Sequence, residues 1–202
     1  MRILIIGPPR SGTTSLIREL CNITKYQFIS EPYNYKLRSI ENYYQYPLTL
    51  EENSVCKTLT LQSPLDFNED YLKFIQEFNK NFDRTILLTR LNKEDHILST
   101  VNLKIRIANG AGNHSPWYKE EVEKYKHIVN YDTDILPHIN AVNQTADLLN
   151  LTPIPYEVLY GNDRKKSLEI IKNLDLNLDS KDLNERLDPK FRYRKLSSKP
   201  VI

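Results

Sequence analysis

Arg2-Ile3-Leu4-Ile5-Ile6-Gly7-Pro8-Pro9-Arg10-Ser11-Gly12-Thr13-Thr14 is the stretch whose reading decides the fold. A short apolar run rich in β-branched residues ends at a glycine, a tight loop follows, and a helical pattern begins at about residue 13. Two of the chain's five glycines fall within residues 7–14. Strand, glycine-bounded loop and helix start together aim backbone N–H groups and the positive end of the helix dipole at one spot. That geometry holds a phosphate. Pro9, Arg10, Ser11, Gly12, Thr13 and Thr14 are the candidate residues of the cradle.

The loop departs from the ATP-binding pattern G-x-x-x-x-G-K-[ST], because Thr13 stands where the lysine belongs. Arg10 is its only cation, and no expected strand ends in a magnesium-holding Asp; the fourth ends at Arg90. Phosphoryl transfer from ATP needs both the metal and the lysine to neutralise charge. A kinase reading is therefore disfavoured.

Working outward, the patterning predicts strands at about residues 2–6, 26–29, 54–61, 84–89 and 154–159. Helices are expected over about 13–22, 67–80, 93–108, 118–149 (broken at Pro137) and 164–173, with apolar positions three and four apart, as at Tyr71, Phe74, Ile75 and Phe78. Alternating strands and helices predict an α/β fold: three layers, P-loop-like, with a central parallel sheet of about five strands flanked by helices. One domain over 1–202 is expected. Residues 32–52 read as aromatic and irregular, 109–117 as a loop, and the chain from about 175 as loop with a short packed piece.

With 40% hydrophobic and 27% charged residues the composition is globular. A net charge of +2 lacks the one-sided excess of a dedicated nucleic-acid or membrane-surface binder. No run approaches the roughly 20 apolar residues of a membrane span, and the apolar N-terminus is too short before Gly7 for a secretory segment, so a cytoplasmic location is expected. Cys21 and Cys56 read as reduced core thiols, and no residue set has metal-site spacing.

Residues 8–20, PPRSGTTSLIREL, resemble the 5′-phosphosulfate loop of the sulfotransferases that use PAPS (3′-phosphoadenosine 5′-phosphosulfate), in the PRSGTT form of the carbohydrate and bacterial branch. The resemblance implies that the loop amides and hydroxyls hold the 5′-phosphate and that Arg10 sits by the transferred sulfuryl group. It implies PAPS as cofactor, the bisphosphate PAP as product, and no metal. Sulfuryl transfer has less charge to neutralise than phosphoryl transfer from ATP, so one Arg with oriented amides suffices.

A 3′-phosphate needs its own cation and hydroxyl near the next switch of the sheet. Arg90, at the expected carboxyl end of the fourth strand, and Ser99, nine residues on in the next helix, are the candidates. They resemble the family's 3′-phosphate motif, although Asn92 stands where Pro is commonest. Residues 155–161 (PYEVLYG) and the following 166–171 resemble the family's late Y-E-x-L strand and helix, and read as structural. The resemblance spans about residues 2–31, 84–106 and 154–174.

Transfer to an alcohol needs a general base. Glu31, directly after the second strand and before Pro32, is the first candidate; the resemblance implies the same role, and pairing with Arg10 or Arg18 is the alternative. Lys57 either points its charge at the sulfuryl group or emerges at a sheet edge. Related cytosolic enzymes carry a Lys-x-His there, but Leu59 occupies the His position. His96 reads either as a border of the cofactor or as a structural residue, and His114 either as an acceptor contact or as a loop residue, the second reading being the favoured one for each. His127 and His138 read as surface or packing residues of a long helix. Tyr33, Asn34, Tyr35, Tyr43, Tyr44, Tyr46 and Trp117 suit stacking at the mouth of a site, or covering of the sheet edge. The basic run Lys190–Lys195 is either a closing loop or a solvated charge run.

The expected function is transfer of a sulfuryl group from PAPS to the hydroxyl of a small molecule or saccharide, with Glu31, Arg10 and Lys57 as catalytic candidates. The alternatives are an atypical P-loop kinase and a non-catalytic nucleotide-binding module of the same fold.

Overall fold

A computed structural model describes residues 1–30, 52–61, 71–108, 119–161 and 163–176. The elements follow in chain order: β1 (Arg2–Gly7), α1 (Thr13–Thr24), β2 (Gln27–Ser30), β3 (Ser54–Leu59), α2 (Tyr71–Asn79), β4 (Arg84–Thr89), α3 (Lys93–Ala108), α4 (Lys119–Lys124), a 3₁₀ turn (Lys126–Ile128), α5 (Tyr131–Asp134), α6 (Leu136–Leu149), β5 (Ile154–Pro155), α7 (Tyr156–Leu159) and α8 (Arg164–Asn173).

The five strands form one parallel sheet in the order β2-β3-β1-β4-β5. This is the expected α/β architecture with a central parallel sheet, and it is consistent with a P-loop-like fold. Register sets the carboxyl ends level: Gly7 lies opposite Leu59 on one side of β1, and Ile6 opposite Leu87 on the other. The chain fills the β3 side of β1 first and then crosses to β4, so strand order reverses at the carboxyl end of β1. Ligands of open α/β sheets bind at such a point.

Strand alternation divides the core between two faces. Ile3, Ile5, Val55, Ile86 and Leu88 pack on Leu16, Ile17, Leu20 and Ile23 of α1 and on Leu159 and Ile171 near α8. Leu4, Ile6, Cys56 and Leu87 pack on Phe74, Ile75 and Phe78 of α2 and on Val142 and Ala146 of α6. All four residues Ile3–Ile6 are fully buried, each worth roughly 1.5–3 kcal/mol over exposure. A third cluster joins Ile97, Leu98, Val101 and Ile105 of α3 to Val122, Val129 and Ile135.

Three expectations are corrected. The strand expected at 154–159 stops at Pro155, and Tyr156–Leu159 turn into a short helix that Pro155 precedes in extended backbone. The helix expected over 118–149 is four pieces, and the break expected at Pro137 falls just before it, at Ile135. Pro137 lies in the first turn of α6, where its fixed φ and missing N–H suit a helix start. The strand expected to reach residue 61 ends at Leu59, with Leu61 in a left-handed conformation (φ 60°). Both cysteines are free thiols, Cys56 buried and Cys21 half-buried. Among the described residues no helix is long and apolar enough to cross a membrane.

Candidate functional site

The loop between β1 and α1 is held in shape through its carbonyl groups. Ser11 donates its amide (3.2 Å) and its hydroxyl (2.8 Å) to the Pro8 carbonyl. His96 Nε2 donates to Pro9 O at 2.7 Å, Arg90 Nη1 donates to Arg10 O at 2.7 Å, and Gly12 O accepts from Leu16 N at 2.9 Å. With the carbonyls engaged, the amides of Gly12, Thr13, Thr14 and Ser15 meet no acceptor among the described residues. They are the open donors of the first turn of α1, gathered at the positive end of its dipole.

Two residues of the loop take left-handed backbone: Gly12 at φ 85° and Arg10 at φ 66°. For Gly12 the glycine is required twice over. A Cβ there would meet Tyr156 Cδ2 at 2.5 Å and Tyr160 Cε2 at 3.1 Å, besides the strain of its φ. Arg10 bears a strain of about 1–2 kcal/mol. Arg90 on its carbonyl and Ser99 Oγ, which accepts from Arg10 Nε at 2.9 Å, hold it there.

Lys57 answers the question its sequence left open. β3 lies between β2 and β1, so Lys57 is not at a sheet edge. It is 3% exposed, and Nζ donates to Thr14 Oγ1 at 2.8 Å. A cation from a neighbouring strand thus reaches the start of α1, where an ATP-binding loop would carry its own lysine.

Arg90 is the hub of the far wall. It is 9% exposed, lies 4.7 Å above the Tyr156 ring and has Nε 4.0 Å from Glu157 Oε1. The Glu157 carboxylate also accepts from the amides of Leu91 (3.1 Å) and Asn92 (2.9 Å), fixing the turn from β4 into α3. Asn92 Oδ1 accepts from Asp95 N at 3.0 Å, as a helix N-cap does. Beneath lies Tyr160, ring-to-ring with Tyr156 at 4.8 Å and 3.5 Å from Glu19 Oε2 on α1.

Burial sets the protonation of this wall. It pushes the Glu19 carboxyl up to about 7, against a small opposing effect of the Tyr160 hydroxyl, because the charged form loses its hydration. It pushes His96 down to about 4, with Arg90 adding to the effect and Pro9 O and Glu157 opposing it. His96 is therefore neutral and donates to Pro9 through Nε2. His138 is half-buried and is also lowered by burial, against its bond to Thr60. The Cys21 thiol rises to about 11 by burial, which fits an inert core thiol. Among the described residues no group of His, Cys, Asp and Glu is arranged to hold a metal ion.

The structure brings Pro9, Arg10, Ser11, Gly12, Thr13, Thr14, Lys57, Arg90 and Ser99 to one place, and His96 joins them. His127 is exposed on the 3₁₀ turn. Glu31, Tyr33, Asn34, Tyr35, Tyr43, Tyr44, Tyr46, His114, Trp117 and the run Lys190–Lys195 lie outside the described residues. Sequence reasoning missed Tyr156 and Glu157, which read as structural yet wall the loop, and His138, which read as a packing residue. A signal for His138 existed: it stands at i, i+4 and i+8 with Val142 and Ala146 on the buried stripe of α6. Comparison with protein-family models, with curated proteins and with solved structures gives no match.

Proposed function

We propose that the chain is a PAPS-dependent sulfotransferase acting on an acceptor hydroxyl, in keeping with the resemblance of its loop. The observation that carries the reading is the meeting of the two phosphate motifs at Arg10. Ser99 binds its side chain and Arg90 its carbonyl from 89 and 80 residues away, beside the open amides of Gly12–Ser15. Two adjoining clusters of cations and donors suit a ligand with phosphates at both ends of one ribose. The amides fit a 5′-phosphate, and Arg90 with Ser99 adjoin them where a 3′-phosphate would lie.

Bound PAPS would supply the sulfuryl group. The chain's share is positioning and fixed electrostatics. Arg10 and the start of α1 stabilise negative charge on the departing side, and Lys57 adds a cation through Thr14. Arg90 and His96 keep the loop carbonyls turned away, so that no carbonyl dipole opposes that charge. Glu31 is the base that the resemblance assigns. A cytoplasmic setting and a saccharide acceptor belong to the same reading.

Thermal unfolding with PAP, and in parallel with ATP and magnesium, tests this. At about 100 times its Kd, PAP adds about 2.7 kcal/mol of stability. Stabilisation by PAP without metal, lost in Arg90→Ala, is expected. Stabilisation only by ATP with magnesium would overturn the reading in favour of a kinase.

A further inference from the structure

His138 stands at the carboxyl edge of the sheet in an arrangement that the phosphate site does not account for. It enters from the first turn of α6, on the stripe whose next members, Val142 and Ala146, are core. Its Nδ1 lies 2.9 Å from Thr60 O and 3.0 Å from Thr60 Oγ1. A carbonyl only accepts, so Nδ1 carries the proton and Nε2 is left with its lone pair. Among the described residues no partner meets Nε2, and it is not one of the buried polar atoms left without one, so it stays open to solvent.

Thr60 ties this imidazole to the phosphate loop, since its amide donates to Gly7 O at 3.0 Å. From the other side, His96 on Pro9 O feels the field of His138, and it is the titratable group facing His138 from α3. Thr58, on β3 two residues before Thr60, keeps a fully buried hydroxyl without a partner among the described residues. A fixed tautomer, an open basic nitrogen and a position at the strand ends flanking the cradle are the attributes of a general base.

We infer that His138, rather than Glu31, takes the proton of the acceptor hydroxyl. The inference rests on the sulfotransferase reading. The acceptor oxygen would form its bond to sulfur as Nε2 takes the hydroxyl proton. The bond from sulfur to the 5′-phosphate oxygen breaks, PAP departs with that electron pair, and the imidazolium returns its proton to water. Burial favours the neutral imidazole, so the base form is the one present at neutral pH.

The test uses the whole chain without an acceptor, with water as nucleophile: release of ³⁵S-sulfate from labelled PAPS, beside PAP affinity by calorimetry. His138→Asn is the informative variant, because its amide keeps a donor toward Thr60 O but offers no basic nitrogen. Expected are PAP affinity little changed from wild type, sulfate release slowed by roughly 100-fold or more, and loss of the acid limb, which burial shifts to the acid side of the ordinary histidine range. Glu31→Gln should keep that limb. Independently of turnover, long-range ¹H–¹⁵N spectra of the free protein should show His138 protonated at Nδ1 alone.

An Nε2–H tautomer, or an Asn variant with wild-type release and pH profile, would overturn the inference while unchanged PAP binding leaves the sulfotransferase reading intact. A wild-type chain that neither binds PAP nor releases sulfate would overturn both.

Discussion

The loop of residues 7–14 and the segment from Ile154 to Gly161 that walls it are built on opposite principles. The loop shapes itself through backbone: a glycine at φ 85°, prolines with fixed φ, and amides at the start of α1. The 154–161 segment contributes only short pieces of regular structure, two residues of strand and four of helix. It works through side chains, with Tyr156 under Arg90, Glu157 on the amides after β4, and Tyr160 against Gly12 and Glu19. One region holds a shape and the other holds that region in place. The shape of the loop therefore depends on residues outside it.

Gly12→Ala breaks the comparison most severely, because it attacks both regions at one atom. Left-handed strain and the contact with Tyr156 should together lower stability by roughly 3 kcal/mol or more and abolish the PAP binding proposed above. Urea unfolding and calorimetry measure it. Adding Tyr156→Ala should return the packing part only, and full recovery would show that backbone strain contributes nothing.

Arg90→Ala separates the wall from the loop. It removes a charge-assisted bond to Arg10 O and the cation above Tyr156, for a loss of about 2–3 kcal/mol. Arg90→Lys should not restore it, since a single ammonium cannot serve Arg10 O and the ring together. Equal stability of the Lys variant and wild type would contradict the hub role.

Glu19→Gln tests how the segment rests on α1, through pH. Glu19 has a folded value of about 7 against an ordinary 4.5, so its protonated form is favoured in the fold. The stability this carries is complete below about pH 4.5 and is lost as pH rises through about 7. Gln cannot ionise, so the variant should match wild type at about pH 4.5 and exceed it by on the order of 2 kcal/mol at about pH 8. His96 has the opposite sign. Its folded value of about 4 means that stability present above its ordinary value of about 6.5 is lost as pH falls toward about 4. The two ranges overlap with opposite slopes, so the wild-type profile should be nearly level between about pH 4.5 and about pH 6.5. Glu19→Gln, which leaves only the His96 effect, should gain stability with rising pH over that range, and a level profile in the variant would count against the His96 assignment.

Glu157→Gln has the smallest expected effect. One oxygen remains to accept from Leu91 or Asn92, so a loss of about 1 kcal/mol is expected, with faster amide exchange confined to the start of α3. Faster exchange throughout the sheet would mean that Glu157 supports more than this turn.

The loop was legible because everything that shapes it is contiguous: Gly7, Gly12 and the helix pattern behind them. Arg90 and Ser99 were legible because strand end and helical spacing set their directions independently of what they meet. The Y-E-V-L stretch misled because four residues with apolar alternate positions fit a strand and a single helical turn alike. Lys57 stayed ambiguous because a lysine in a strand reads the same at an edge and at the centre; strand order is absent from local pattern. His138 was legible as a member of the buried stripe of α6, but its bond to the Thr60 carbonyl was not, because backbone acceptors leave no mark in sequence.

Taken alone, the sequence determined the parallel strands of β1, β3 and β4, the cradle at the start of α1, and the cation and hydroxyl at positions 90 and 99. These follow from period, glycine placement and element ends, which are properties of neighbours along the chain. Only the tertiary structure decided that His96 and Arg90 engage the carbonyls of Pro9 and Arg10, that Lys57 is buried against Thr14, and that Tyr156 leaves room for nothing larger than Gly12. Each of those is a contact between residues far apart in the chain. Which partners meet over such separations is fixed by strand order and register, through burial of the two sheet faces, and no local pattern encodes it.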